Sequence, residues 1–406
     1  MLDFTLLSRK KLPFWEILLI IYLFVAYLVP SFSLGSTTLL LLLLMYCVYM
    51  VFIDQDMFSA VVVPLLLIVF LATAYALLTD ASSIAENASN RELKRFISKM
   101  YQYVTIYFPA LLFVRVNRIA TKTQKKIFAV IGVVLMVYVV ITTWLFLLEN
   151  PDATRHWEDF DENSEMDVAN YYFVYAVPII IAAISVFMLN YRGLIRYISL
   201  ALVIVGIIFL VNAQYTLAVL IAIIGVLIQV YRHIRTTLNR ILFMLVILAF
   251  AIFLPQILAY TISIVPSEHI AIRLSEIHAF LTGQGAGGYN LSSRMTLYRD
   301  TIVAFFQSPI WGHRRLGFDG HATFLTVLSD TGILGGVPFY ALLTIICKQV
   351  QKYMGTHKQQ FGVIILMFVM MGLTNPVHAS LPLGFVTWFL APLTIQTYIK
   401  EEPQNG

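Results

Sequence analysis

Residues 195–230 read IRYISLALVIVGIIFLVNAQYTLAVLIAIIGVLIQV, two apolar runs parted at Asn212, with Arg196 their one charge. A helix rising 1.5 Å per residue crosses a ~30 Å hydrocarbon core in about 20 apolar residues. The tight spacing predicts either a helical hairpin or a broken helix. Working outward, comparable runs fill the chain. They lie at 14–33, 36–53, 57–78, 100–115, 127–148, 168–189, 195–211, 213–230, 241–264, 321–346, 361–376 and 382–399. The 406 residues are 60% hydrophobic and only 12% charged, against roughly 25% charged in a soluble domain. The expectation is an all-α polytopic membrane protein with about twelve transmembrane helices. Helices one to nine occupy 1–265, a large loop 266–320, and helices ten to twelve 321–406. Cys47 and Cys347 fall in or at the end of apolar runs, so no disulfide framework is expected.

The charges between the runs predict an orientation. With Arg9, Lys10 and Lys11 inside, the inner segments also hold Arg115, Arg118, Lys122, Lys125, Lys126, Arg192, Arg196, Arg232, Arg235, Arg240, Lys348, Lys352, Lys358 and Lys400. These are seventeen of the 27 basic residues, while fifteen of the 22 acidic ones fall outside. Both termini inside, with an even number of spans, satisfies the positive-inside rule. The net charge of +5 thus reflects topology, and no nucleic-acid partner is expected. The first run follows basic residues as a signal peptide would, but it lacks an A-x-A site and reads as an uncleaved anchor.

Three outer loops differ in chemistry. Loop 79–99 places Arg91, Lys94, Arg95 and Lys99 at helical spacing beside Leu93, Phe96 and Ile97, the pattern of an amphipathic helix lying on the bilayer. Loop 149–167 carries eight carboxylates and one arginine and reads as a solvated charge run without EF-hand spacing. Loop 266–320 contains five arginines, Arg273, Arg294, Arg299, Arg314 and Arg315, and no lysine. Arginine binds phosphate or carboxylate through a planar, permanently charged fork. The bland alternative pairs these arginines with Glu268, Glu276, Asp300 and Asp319. The GQGAGG run at 283–288 matches no nucleotide motif and reads as a hinge.

His313 and His321 join the arginines, and Asp330 lies within the tenth run, where a carboxylate needs a cation or donors. Positions 321 and 330 are about two and a half turns apart and do not touch. Gly332, Gly335 and Gly336 are positioned to break the helix or permit close packing.

The order Arg294, Arg299, Ser308-Pro309, Gly312, His321, Asp330, then Gly332, Leu334 and Gly335 resembles the signature of the O-antigen polymerase and ligase superfamily. The residue match covers about 45 positions, the topology most of the chain. The resemblance implies a GT-C-like membrane fold and a multi-pass enzyme of the bacterial cytoplasmic membrane. Such an enzyme acts at the outer face on polyprenyl-pyrophosphate-linked oligosaccharides as donor and acceptor. Chain-length regulator and flippase proteins are its expected partners. It casts Arg294 and His321 as catalytic, with Arg273, Arg299, Arg314, Arg315, His313 and Asp330 as candidates for binding pyrophosphate or glycan. Three departures stand out. Ala322 follows the histidine where Asn is frequent, Asp330 replaces a usual Glu, and Gln214-Tyr215-Thr216 lacks the arginine many members carry.

The chemistry fits independently. Arginines neutralise the diphosphate as the C1–O bond breaks, and a histidine takes the acceptor hydroxyl proton. Attack opposite the leaving group inverts the anomeric centre. No metal or other cofactor is expected. A ligase differs only in its acceptor. A flippase or transporter shares the layout of spans, but no repeat between halves is evident.

Overall fold

The computed structural model describes residues 11–30, 32, 36–53, 58–78, 88–150, 168–265, 268–283, 289–313, 322–377 and 380–398. Among them there is no strand, and every one of the twelve apolar runs is helical. The helices are α1 (Phe14–Leu28), α2 (Ser36–Ile53), α3 (Phe58–Leu78), α4 (Ala88–Ile119), α5 (Lys122–Glu149), α6 (Tyr171–Val174), α7 (Val177–Asn190), α8 (Leu194–Asn212), α9 (Thr216–His233) and α10 (Thr237–Ile264). They continue with α11 (Glu268–Thr282), α12 (Tyr289–Gln307), α13 (Thr323–Tyr353), α14 (Lys358–Gly372), α15 (Leu381–Phe385) and α16 (Ala391–Tyr398). A π-helical turn, Val386–Leu390, makes the last two one continuous helix. Among the described residues, six helices are long and apolar enough to cross a membrane. The chain is an all-α membrane protein.

Its core surrounds α7, in which every residue from 177 to 187 is buried. The tight turn after Asn212 resolves as a hairpin. Gly206 of α8 faces Ile181, and Gly225 of α9 faces Ala182 and Met367, so both glycines meet α7 at one level and the chain must reverse between them. Gln214 turns the corner in a left-handed conformation, φ 60°. Small residues let helix backbones approach where no hydrophobic force separates protein from lipid. The final helix fills the other half of the core. Phe385 and Phe389 pack on Phe24, with centroids 4.9 and 5.5 Å away, and Trp388 packs on Phe368 at 5.2 Å. By contrast α10 buries only Leu258.

Several sequence expectations need correction. The proposed surface helix in 79–99 is not a separate element. From residue 88 onward it is continuous with the fourth apolar run, forming the 32-residue α4. Loop 266–320 is likewise largely helical, containing α11 and α12. The connection between α4 and α5 also shrinks to residues 120–121. Thr121 and Gln124 form a reciprocal capping box there, and Lys125 Nζ donates to the Asn117 carbonyl and Oδ1.

Arg115, counted above among loop charges, is instead buried. Its Nε and Nη2 donate to Glu16 Oε1 and Oε2, each at 3.3 Å, and Tyr46 Oη donates to Oε1 at 3.0 Å. Glu16 is completely buried, so α1, α2 and α4 are tied at one end of the bundle. Removing one partner of a buried charge pair strands the other, at about 3–5 kcal/mol. Glu16→Ala should therefore melt far below wild type in detergent, followed by circular dichroism. The double variant Glu16→Leu with Arg115→Leu should recover most of the loss. A single variant that melts like wild type would contradict this role.

Candidate functional site

The segment singled out from sequence is organised by a break in α13. Helix α12 carries Arg294 and Arg299 and ends before Ser308 and Pro309, since a residue preceding proline is pushed out of the helical region. The chain then turns through residues 308–313, with Gly312 N–H donating to the Ser308 carbonyl at 2.8 Å. Gly312 has φ +75°.

Across from this turn, α13 is interrupted at Gly332, φ 58° and ψ −156°, a conformation essentially reserved for glycine. In an unbroken helix the amides of residues 333 and 334 would bond to carbonyls 329 and 330. Here Ile333 N–H donates to the Pro309 carbonyl at 2.8 Å and Leu334 N–H to the Ile310 carbonyl at 3.3 Å. The Ser329 carbonyl accepts instead from His313 N–H at 2.5 Å. The turn thus supplies the partners the break removes, and a membrane helix cannot leave such groups unsatisfied. The fit has no room for a side chain at either glycine. A Cβ on Gly312 would fall on the Asp330 carbonyl, and one on Gly332 on the Ile310 carbonyl.

This geometry makes a prediction. Gly332→Ala adds a strain of about 1–3 kcal/mol to that overlap. Amide hydrogen exchange at His313 and Ile333 should then accelerate at least tenfold, while α7 stays protected. Unchanged exchange at both amides would mean that the turn is not held by the break.

Asp330 lies in the last turn before the break. Ser329 Oγ donates to its Oδ1 at 3.4 Å. Helix α13 packs against α3 and α4, and the charge of Lys99 on α4 opposes that of Asp330. Lys99 Nζ sits 4.2 Å above the ring of Tyr75 on α3, a cation–π contact. Tyr103, one turn along α4 from Lys99, is buried and also within the field of Asp330. The α3 C-terminus, the first half of α4 and the first quarter of α13 therefore converge beside the turn carrying His313. All lie at the end of the bundle opposite Glu16 and Arg115.

Of the residues expected from sequence, the structure brings the backbones of His313 and Asp330 close together, through the bond from His313 N–H to the Ser329 carbonyl. Arg299 is exposed on α12. Arg273 on α11 and Arg294 on α12 have described backbones, but their side chains lie outside the described residues, as do Arg314, Arg315 and His321 altogether. The hinge expected at 283–288 falls largely outside the described residues, and so does nearly all of the acidic loop.

Tyr75, Tyr103 and Ser329 do not stand out in the sequence, and Lys99 stands out there only as part of a basic helical stripe. The available signal was the position of Lys99, the last basic residue before an apolar run that contains no other charge until Arg115. No protein-family model matches this chain, and no curated protein does either.

Proposed function

We propose that this chain is a membrane glycosyltransferase. It joins polyprenyl-pyrophosphate-linked oligosaccharide repeat units into a surface polysaccharide at the outer face of a bacterial cytoplasmic membrane. In this reading the twelve apolar helices all span the bilayer, both termini are cytoplasmic, and the arginine-rich segment is external. The observation that carries the reading is the seating of turn 308–313 in the break of α13. It joins the arginine-bearing α12 to the half-buried His313, Asp330 and Lys99, and in this reading a lipid diphosphate and a water-borne glycan meet there.

The reaction is a displacement at the anomeric carbon. The acceptor hydroxyl oxygen forms a bond to C1 and the C1–O bond to the diphosphate breaks. Polyprenyl diphosphate leaves with the electron pair, and His321 takes the hydroxyl proton. Arg294, with further arginines among Arg273, Arg299, Arg314 and Arg315, stabilises the charge that develops on the leaving group. Asp330 and His313 suit glycan hydroxyls, because a carboxylate repels a diphosphate.

The break in α13 also favours a second reading, a transporter, since discontinuous helices hold substrates and ions in such proteins. In this chain the backbone groups of 329, 333 and 334 freed by the break are taken up by the turn, which weighs for the enzyme.

Membranes containing the protein, given lipid-linked repeat units, should yield a ladder of regularly spaced polymers. A single transfer to another acceptor would indicate a ligase, and translocation without covalent change a flippase. The orientation has its own check. A cysteine introduced at Gly287 should be labelled from outside by an impermeant maleimide, and one at Thr121 should not. The reverse pattern would overturn the external placement of the site.

A further inference from the structure

The other end of the bundle holds a groove that the glycan chemistry does not use. It lies where α9 ends and α10 begins and has a volume of about 460 Å³, within the roughly 300–1,000 Å³ of ligand sites. Tyr231 and Arg240 form its head, and Ile241, Met244, Leu245 and Leu248 its length. Those four positions follow i, i+3, i+4, i+7 spacing, one stripe of α10. Each is more than half exposed.

The head is positively charged and held in place. Arg240 Nε donates to the Ile234 carbonyl at 2.9 Å, and the guanidinium carbon lies 5.6 Å from the Tyr231 ring centroid. Arg235 is exposed on the short connection beside it. Arg232, on the last turn of α9, donates from Nη1 to the Gln359 carbonyl of α14 at 2.8 Å, which anchors this corner of the bundle. From 168 to 267 the chain contains five arginines, no lysine and no carboxylate. The positive-inside rule accounts for basic residues here. It does not account for the exclusive use of arginine, or for a guanidinium fixed at the mouth of an apolar groove.

We propose that the α9–α10 groove binds an anionic glycerophospholipid. Its phosphate is held by Arg240 with Arg235 alongside, and one acyl chain lies along the stripe from Ile241 to Leu248. Basic pockets between membrane helices bind such headgroups, and arginine matches phosphate geometry. A zwitterionic lipid would bring an ammonium group to a stretch, residues 168–267, that has no carboxylate to receive it. This site stands apart from the glycan reading and does not depend on it.

The test is native mass spectrometry of the purified full chain in detergent, titrated with phosphatidylglycerol or phosphatidylcholine. Wild type should retain phosphatidylglycerol at several-fold lower lipid concentration than phosphatidylcholine. Arg240→Gln should weaken phosphatidylglycerol retention about fivefold, the effect of one arginine near an anionic headgroup, and leave phosphatidylcholine unchanged. Leu245→Trp, which fills the groove without touching an arginine, should weaken both lipids. If Arg240→Gln loses its helical circular dichroism signal, Arg240→Lys is read in its place. It keeps the charge but loses the fork, and should show a smaller, measurable loss for phosphatidylglycerol alone. Equal retention of the two lipids by wild type would overturn the proposal. So would wild-type phosphatidylglycerol retention in the Arg240 variant read, or displacement of the lipid by millimolar inorganic phosphate.

Discussion

Membranes containing Arg294→Ala or Arg294→Lys at normal protein level should make no polymer from lipid-linked repeat units. Alanine removes the charge that meets the leaving diphosphate. Lysine keeps the charge but is a point donor without the bidentate fork. In the proposed reaction the leaving group is a diphosphate at a low-dielectric boundary, where the placement of donors counts for more than net charge. Helix α12 is held through turn 308–313 to the break in α13, so the register of Arg294 relative to Asp330 is fixed by the fold. Arg299, Arg314 and Arg315 should show graded losses when changed to alanine, at least one of them as severe as Arg294. Wild-type polymer from Arg294→Lys would leave only a general electrostatic role for this residue.

His321→Ala should cut turnover roughly 10²–10⁴-fold, the range of general base catalysis, and leave donor binding nearly unchanged. Labour is divided in this account: arginines hold the diphosphate and the histidine touches the incoming hydroxyl. His321→Gln retains a hydrogen-bonding group but cannot take up a proton, so it should also be slow. The placement rests on sequence position, directly before Ala322 and the N-terminus of α13. Thr323 at that terminus is held by its N–H and hydroxyl to the Asn375 carbonyl, at 3.3 and 3.1 Å. Donor affinity that collapses in His321→Ala, or turnover that survives it, would mark a structural histidine.

The helices were legible in sequence because each apolar run has to satisfy its own backbone in lipid. At Asn212 the sequence leaves a hairpin and a broken helix equally open. The choice is made by Gly206 and Gly225 meeting α7, a tertiary fact. The start of α4 was misread for a related reason. A stripe of Phe96, Ile97 and basic residues has the same period whether the helix lies on a bilayer or continues into it. Helices α11 and α12 escaped notice because their polar and apolar residues alternate without a long apolar run. At the site, Gly332 was recognisable as a candidate break, but its filling by residues 308–313 was not. Nor does any local pattern bring Lys99 near Asp330, or pair Glu16 with Arg115 ninety-nine positions away. Such partners are set by which helices become neighbours, and spacing along the chain carries no record of that.

The central claim is that glycosidic bonds form by displacement of a lipid diphosphate. It is tested most directly by following polyprenyl diphosphate release from purified protein in proteoliposomes supplied only with lipid-linked repeat units. The account predicts one polyprenyl diphosphate released per glycosidic bond formed, at an unchanged rate in the presence of EDTA, and none from Arg294→Ala. Repeat units that cross the bilayer with their diphosphate bond intact, with no release above background, would contradict it.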